Sequence, residues 1–356
     1  MTSAPQAAAP VVRRRTAYID ILTCIATFAV VWLHSNSLVH GFSDSPAWTR
    51  ALVVEVIAYW AVPVFLMVSG VNLMRYRERY DTRTFLVKRV QRALIPFLFW
   101  VLLSYVWWLW RTDSLGWAAF SPRRLWEVFM LLEHMPTYWF FLALFPIYLA
   151  MPVLSLLRDQ RRILWYIVGM GLALGSVMPL FAKILGLPWN GLLTFPLTAG
   201  LYVVFPILGY LLANTELSRR ARIWIYLGGI AGAAIRFAVT YIGSYERGET
   251  YRLLFDYNSI VSIALAVAVF VAVKSVDWGP LLERRWAAAT VRQITACSLG
   301  IYLTHYFVIE ELLPRIGFTP ERLVTQTLGA VIVFVASLAI VSVLRLVPGA
   351  KKVIPG

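Results

Sequence analysis

One histidine inside an apolar stretch is the first residue whose type and position could do chemistry. His34 lies near the end of the apolar segment Tyr18 to Leu38, which follows a basic run at 13–15. About 20 consecutive apolar residues predict a helix that crosses a bilayer, and an ionisable side chain inside such a helix indicates a functional site. An imidazole at this position predicts acid–base chemistry, with His34 as a general base in a membrane enzyme.

Polar residues recur on one face of the same predicted helix. This polar stripe consists of Asp20, Thr23, Thr27, His34 and Ser37. Because such a stripe would be costly against lipid, we expect it to face a protein interior or a wet cavity. We therefore treat Asp20, Thr23 and the neighbouring Asn36 as candidate substrate-pocket residues.

A carboxylate on the second apolar segment lies at the same predicted depth as His34. If the first span ends near Leu38 and the second begins near Ala51, His34 and Glu55 both lie one helical turn below the same surface, at about 1.5 Å per residue. A carboxylate bound to one imidazole nitrogen fixes the tautomer and raises the basicity of the other nitrogen. The sequence thus predicts a catalytic His34–Glu55 pair. The alternative is a buried polar pair whose members only satisfy each other.

A basic cluster precedes and opens the third apolar segment. Its members are Arg75, Arg77, Arg79, Arg83, Lys88, Arg89 and Arg92. The spacing of Lys88, Arg89 and Arg92 would let them share one helix face, which could bind phosphates. The alternative is cytoplasmic basic charge in contact with lipid headgroups.

Two further ionisable residues lie inside later apolar segments. His305 lies mid-segment and could be structural or functional, whereas Arg236 is deep enough to need a partner or a cavity. The sequence lacks a GxSxG elbow, a Walker A loop and an HExxH motif. The spacing of His34 and His40 is poor for metal ligands, so we predict no metal site.

Membrane helices must position all of these side chains. The chain has 356 residues, of which 60% are hydrophobic and 14% charged, and its mean hydropathy of +0.70 lies outside the range of soluble domains. Hydropathy predicts an all-α polytopic membrane protein with about ten transmembrane helices. The predicted spans are 17–38, 52–72, 88–110, 138–157, 163–184, 196–213, 223–243, 255–274, 297–314 and 325–347.

The distribution of charge predicts the orientation and the partners. Most Lys and Arg residues lie on one side of the ten spans, which predicts that both termini are cytoplasmic. The net charge of +15 clusters at the ends of apolar segments, so it indicates membrane lipids and no nucleic acid as the partner. We expect one membrane domain over 17–347, between cytoplasmic tails at 1–16 and 348–356.

Five motifs carry a resemblance to a known family. They are YIDILTCIATFAVVWLH, VPVFLMVSG, KRVQRALIPFLFW, YWFFLALFPIYLAMPVL and SLGIYLTHYFVI. In this order they resemble the family-3 membrane acyltransferases, which include bacterial O-acetyltransferases of surface polysaccharides. The resemblance implies a multi-pass protein of the bacterial cytoplasmic membrane that takes an acyl group, typically acetyl, from acyl-CoA. It also implies a hydroxyl or amine acceptor on a cell-envelope glycan, a lipid-linked molecule or a small molecule.

The resemblance also implies roles for individual residues. His34 matches the histidine of the family's first span, and Arg89 with Arg92 matches its Arg-x-x-Arg element, which implies that these arginines hold the phosphates of coenzyme A. Ser69 matches the serine of the family's Ser-Gly pair. His305 matches the histidine of the penultimate helix.

Two positions depart from the family pattern. Thr23 stands where the family usually has arginine, and Tyr138 stands where many members have histidine before the Trp-Phe pair that begins at Trp139. Arg236 could supply the missing charge. Tyr138, Trp139, Arg236 and His305 complete the set of candidate pocket residues.

The residues also fit two other functions. In a transporter or exporter of a polyol, organic acid or glycan, His34, Glu55 and Arg236 would line a path and no covalent chemistry would occur. A non-catalytic partner of a glycan synthase is the third alternative. The resemblance favours the O-acetyltransferase-like enzyme.

Overall fold

The structure, a computed structural model, describes residues 10–198 and 202–355, and the side chains from residue 17 onwards within those ranges. The described part is helical and contains no β-strand. Its α-helices are α1 (Pro10–His34), α2 (Pro46–Ala58), α3 (Ala61–Leu73), α4 (Thr82–Arg89), α5 (Ile95–Arg111), α6 (Pro122–Leu131), α7 (Trp139–Leu154), α8 (Arg161–Leu172), α9 (Met178–Ile184), α10 (Val204–Ala213), α11 (Arg219–Arg247), α12 (Ile260–Lys274), α13 (Gly279–Leu282), α14 (Arg285–Arg315) and α15 (Ala330–Leu344).

The described helices confirm an all-α polytopic membrane protein. Seven segments are long and apolar enough to cross a membrane. They are Ala17–His34, Pro46–Glu78, Thr82–Arg111, Pro136–Leu157, Arg161–Ile184, Arg219–Arg247 and Thr325–Leu344. The other three predicted spans correspond to the shorter apolar helices α10 and α12 and to α14, which begins well before the predicted span 297–314.

The two predicted tails and the predicted span 196–213 are only partly covered by the described residues. Residues 1–9 of the predicted tail and residues 199–201 of the predicted span 196–213 lie outside the described residues. Residues 348–355 of the predicted C-terminal tail fold back onto the bundle, because Ile354 is buried and the backbone carbonyl of Val353 accepts the indole N–H of Trp100 at 2.9 Å. Residue 356 lies outside the described residues.

Several helices are interrupted at points that matter for the site. The predicted span 52–72 is divided between α2 and α3, because Pro63 has no N–H for the carbonyl of Tyr59. Short π-helical segments at Val90–Leu94, Ala173–Val177 and Thr325–Gly329 lie before α5, between α8 and α9, and before α15. Such segments redirect side chains and are frequent at functional sites.

The core has two large groups of helices that meet along a seam, and a smaller third cluster around Trp48 of α2. The first group buries residues of α1, α3, α7, α8, α10 and α12, and the second buries residues of α5, α7, α14 and α15. Trp139, Tyr148 and Tyr302 pack against both groups. The seam therefore runs along α7, between the two groups.

Candidate active site

His34 and His305 come together at the end of α1. Their ring centroids lie 5.1 Å apart, with 38° between the ring planes. His305 is fully buried on α14, and its Nδ1 lies 2.6 Å from the backbone carbonyl oxygen of Tyr302. Since a carbonyl only accepts, Nδ1 carries the proton and Nε2 keeps its lone pair. Nε2 is buried and has no hydrogen-bond partner among the described residues.

Glu55 pairs with Arg236, and this corrects the predicted His34–Glu55 hydrogen bond. The carboxylate Oε1 lies 3.4 Å from a guanidinium nitrogen of Arg236, and both side chains are buried. The guanidinium carbon also lies 3.3 Å from the ring centroid of Tyr59 and 4.8 Å from that of Phe255. Equal depth brought Glu55 near His34 as expected, but the rotation of α2 turns the carboxylate toward α11.

A cavity of about 670 Å³, which we call the histidine cavity, opens beside His34. Its polar lining residues are His34, His40, Glu55, Ser176, Lys183, Arg252, Asp256, Asn258 and Ser259. The hydroxyls of Ser176 and Ser259 are buried and have no hydrogen-bond partner in the described part of the chain. The volume is that of a small-molecule site, and the two free hydroxyls can bind a polar ligand.

Aromatic rings form one wall of the histidine cavity. Tyr59 stacks on Tyr257 at 4.1 Å with 10° between the planes, and Trp139 lies against Tyr257 at 5.4 Å and 20°. The hydroxyl of Tyr59 donates to the backbone carbonyl of Phe255 at 2.8 Å, which fixes the loop before α12. The predicted pocket residue Trp139 thus lies in the cavity wall.

A second cavity of about 250 Å³, the seam cavity, lies between α1, α3, α7 and α14. Its lining includes Thr27, Ser69, Phe140, Tyr148 and Tyr302. Phe140 and Tyr148 are eight residues apart on α7, so the cavity extends about 12 Å along that helix at about 1.5 Å per residue. His305 lies between the two cavities, because its ring contacts His34 of the first and, at 5.8 Å, Tyr302 of the second.

Arg89 stands at the far end of the seam cavity. Its guanidinium carbon lies 5.3 Å from the ring centroid of Tyr148 and 5.4 Å from that of Phe85. Its Nε is buried and has no hydrogen-bond partner among the described residues. Arg77 and Arg79, by contrast, donate to the backbone carbonyls of Pro152 and Asn72.

The predicted common face of Lys88, Arg89 and Arg92 requires a correction. A π-helical segment begins at Val90, directly after Arg89, so α-helical spacing does not continue to Arg92. Arg89 is half-buried and Arg92 is exposed. The Lys88 ammonium instead lies 3.9 Å from the ring centroid of Tyr80.

Six predicted pocket residues are absent from the lining of both cavities: Asp20, Thr23, Asn36, Tyr138, Arg236 and His305. Asp20 lines another cavity, of about 830 Å³, near α13 at the other end of α1. The Thr23 hydroxyl donates to the carbonyl of Ile19 in its own helix, at 2.8 Å. The Asn36 amide donates to the backbone carbonyl of Gln326 at 3.1 Å and so ties α1 to the segment before α15.

Ser69 lies in the seam cavity, and Tyr138 packs against the part of α14 that carries His305. Ser69 lines the seam cavity, and its hydroxyl donates to the carbonyl of Phe65 at 3.0 Å. The Tyr138 hydroxyl donates to the backbone carbonyl of Leu303 at 2.6 Å, and the Tyr302 hydroxyl donates to that of Thr137. These two bonds fix the start of α7 to the part of α14 that carries His305.

Sequence reasoning did not single out four residues that line the histidine cavity, although three of them lie inside the predicted spans 163–184 and 255–274. Ser176 lies in a π-helical segment, and Arg252, Tyr257 and Ser259 lie in the loop before α12. A signal was present at Gly175, inside the π-helical segment, and at Pro179, in the first turn of α9. The loop residues carried no periodic signal.

Comparison with known proteins assigns the family. The model of a family described as an acyltransferase domain, the family-3 acyltransferases, matches residues 16–346. No curated protein and no solved structure matches the chain. The match covers every helix that contributes to the two cavities, and it favours the enzyme over the transporter and assembly-partner alternatives. The chain therefore belongs to the family-3 acyltransferases and is a membrane acyltransferase.

Proposed function

We propose that this acyltransferase moves an acyl group, typically acetyl, from acyl-CoA to a hydroxyl of a cell-envelope glycan or a related small molecule. One observation carries the proposal: His34 lines the histidine cavity and contacts His305, whose ring in turn contacts Tyr302 in the lining of the seam cavity. Two substrates could thus reach His34 by separate routes. We further propose that the protein lies in the bacterial cytoplasmic membrane with both termini in the cytoplasm.

The donor end of the proposal rests on Arg89. An arginine with a buried and unpartnered Nε, close to the membrane surface of the basic cluster, suits a phosphate of coenzyme A. Lys88 and Arg92 add positive charge nearby. The thin arm of the donor would extend from Arg89 past Tyr148 and Ser69 toward the histidines.

The acceptor end rests on the histidine cavity. Stacked rings at Tyr257 and Trp139 offer a flat apolar surface of the kind that contacts the faces of sugar rings, and the free hydroxyls of Ser176 and Ser259 offer hydrogen bonds. These features support a hydroxyl-rich acceptor. Glu55 lines the cavity while its carboxylate is paired with Arg236.

The proposed reaction needs one base. His34 removes the proton of the acceptor hydroxyl while that oxygen attacks the thioester carbonyl. The new C–O bond forms, the C–S bond breaks, and the proton on His34 passes to the departing thiolate. A route in which His34 itself carries the acyl group is the alternative.

Transfer of radiolabel tests this function. Purified protein in lipid nanodiscs is incubated with radiolabelled acetyl-CoA and a cell-envelope extract, and labelled product is measured. We expect His34→Ala to lower the rate by about 100-fold or more, because it removes the base. Arg89→Gln should raise the KM for acetyl-CoA by about 10-fold to 100-fold, the effect of one lost hydrogen bond to a charged group.

Two variants are the matched controls for His34→Ala and Arg89→Gln. His134→Gln changes a histidine stacked on Trp108 far from the cavities, and Arg79→Gln changes an exposed arginine of the same cluster, so both should retain normal transfer. Near-normal turnover by His34→Ala would refute its role as the base. Flux of a polyol or glycan without labelled product would favour transport.

A further inference from the structure

His305 has the features of a second imidazole in the active centre. It is fully buried, its Nδ1 proton is committed to the carbonyl of Tyr302, and its Nε2 is left as a free acceptor. A buried acceptor without a partner is costly, so its retention calls for a donor. Besides Tyr302 of its own helix, the ring that His305 contacts is His34.

The separation of the two rings suits a single hydrogen bond. Ring nitrogens lie about 1.1 Å from the ring centroid, and an N–H···N bond spans about 2.9 Å, so two bonded imidazoles have centroids about 5 Å apart. His34 and His305 lie at 5.1 Å. A small rotation of the partly buried His34 ring would close the bond, whereas the hydrogen bond from Nδ1 to the Tyr302 carbonyl holds the His305 ring in place.

We propose that Nε2 of His305 accepts the N–H of His34 and thereby turns the other nitrogen of His34 toward the acceptor hydroxyl. His305 is then a positioning residue, which takes the place that the sequence had suggested for Glu55. When His34 takes the hydroxyl proton it becomes an imidazolium, and the bond to His305 becomes charge-assisted and stronger. The proton then leaves for the thiolate, and His305 neither gains nor loses one. This catalytic role rests on the proposed function, but the pairing of the rings does not.

Nitrogen NMR tests the pairing without any substrate. The chain has four histidines, so ¹⁵N-histidine labelling in nanodiscs gives few signals, and single substitutions assign them. We expect His305 to carry its proton on Nδ1, and we expect His305→Phe to shift both ring nitrogens of His34, whereas His134→Gln leaves them unchanged. A proton on Nε2 of His305, or His34 signals that do not respond to His305→Phe, would overturn the pairing.

Transfer kinetics test the positioning role. His305→Phe keeps a flat ring but removes the acceptor nitrogen, so kcat should fall by about 10-fold to 100-fold while the KM for acetyl-CoA is unchanged. His305→Gln has an amide oxygen that can accept the same bond, and it should restore part of kcat. An equal loss of kcat in both variants would refute the positioning role. A normal kcat in His305→Phe, in an assay where the wild-type protein transfers the acyl group, would also refute it. Paired rings in a protein without any transfer activity would instead refute the proposed function alone.

Discussion

At the scale of single residues, the ion pair of Glu55 and Arg236 is buried at both ends. Arg236 is 2% exposed and Glu55 is 5% exposed, so both charges have lost their water. The rings of Tyr59 and Phe255 and the hydroxyl of Ser262, at 3.5 Å, provide further contacts for the guanidinium. Each charge has lost its hydration and is stabilised by the opposite charge, so removing one leaves the other buried without a partner.

Removing one member of this pair should therefore destabilise the protein more than removing both. We expect Arg236→Gln or Glu55→Gln to lower the free energy of unfolding by about 3–5 kcal/mol, since each leaves an unpaired buried charge. The double variant should lose clearly less than the sum of the single losses. Thermal unfolding in detergent measures all four proteins, and additive losses would show that the two side chains are not coupled.

The sequence predicted some of these residue contacts and could not predict others. The depth of Glu55 and His34 followed from counting residues along two helices, and both do line one cavity. The rotation of α2 about its axis, which directs Glu55 to Arg236, depends on packing against α11. The approach of His305 to His34 likewise depends on how α14 packs against α1, and no local pattern encodes it.

Among the helices, α3 and α10 approach each other most closely through glycines. A Cβ on Gly70 would overlap the backbone carbonyl of Pro206, and one on Gly209 would overlap that of Met67. The backbones therefore touch, and nearly all of α10 is buried at the centre of the first core group. This contact explains in physical terms why glycine follows Ser69 in the VPVFLMVSG motif, and it holds the α3 wall of the seam cavity in place.

Gly70→Ala should disrupt this contact. The added methyl meets backbone and not a flexible side chain, so relief requires separating the helices, and we expect a loss of about 3 kcal/mol or more in the free energy of unfolding. Gly228→Ala in α11 is the matched control, because its Cβ would meet no atom within 4 Å. It should be neutral or stabilising by up to about 1 kcal/mol. Equal melting temperatures for the two variants would contradict the close approach.

Across the whole molecule, the seam cavity lies where the two large core groups meet. Hydropathy predicted the membrane-spanning segments because each must match a bilayer, and seven described segments are long and apolar enough to do so. It does not encode which helices pack together. The seam along α7, the π-helical break that brings Ser176 to the histidine cavity, and the loop before α12 all arise from that packing. The composition thus predicted the class of fold, and the arrangement of the two cavities needed the structure.

Blocking the seam cavity should stop acyl transfer without unfolding the protein. Ser69→Phe would place a ring in the 250 Å³ space between Tyr148 and Tyr302, across the proposed route of the thioester. We expect transfer from acetyl-CoA to fall by about 100-fold or more, as when a reacting group is held away from its partner. Binding of coenzyme A, measured by calorimetry, should persist because Arg89 is unchanged.

Thr327→Phe is the matched control for Ser69→Phe. It loses the same kind of hydroxyl-to-carbonyl bond within a helix, at 2.8 Å, but on an exposed surface, so transfer should stay normal. Normal transfer by Ser69→Phe would mean that the thioester reaches His34 by another route.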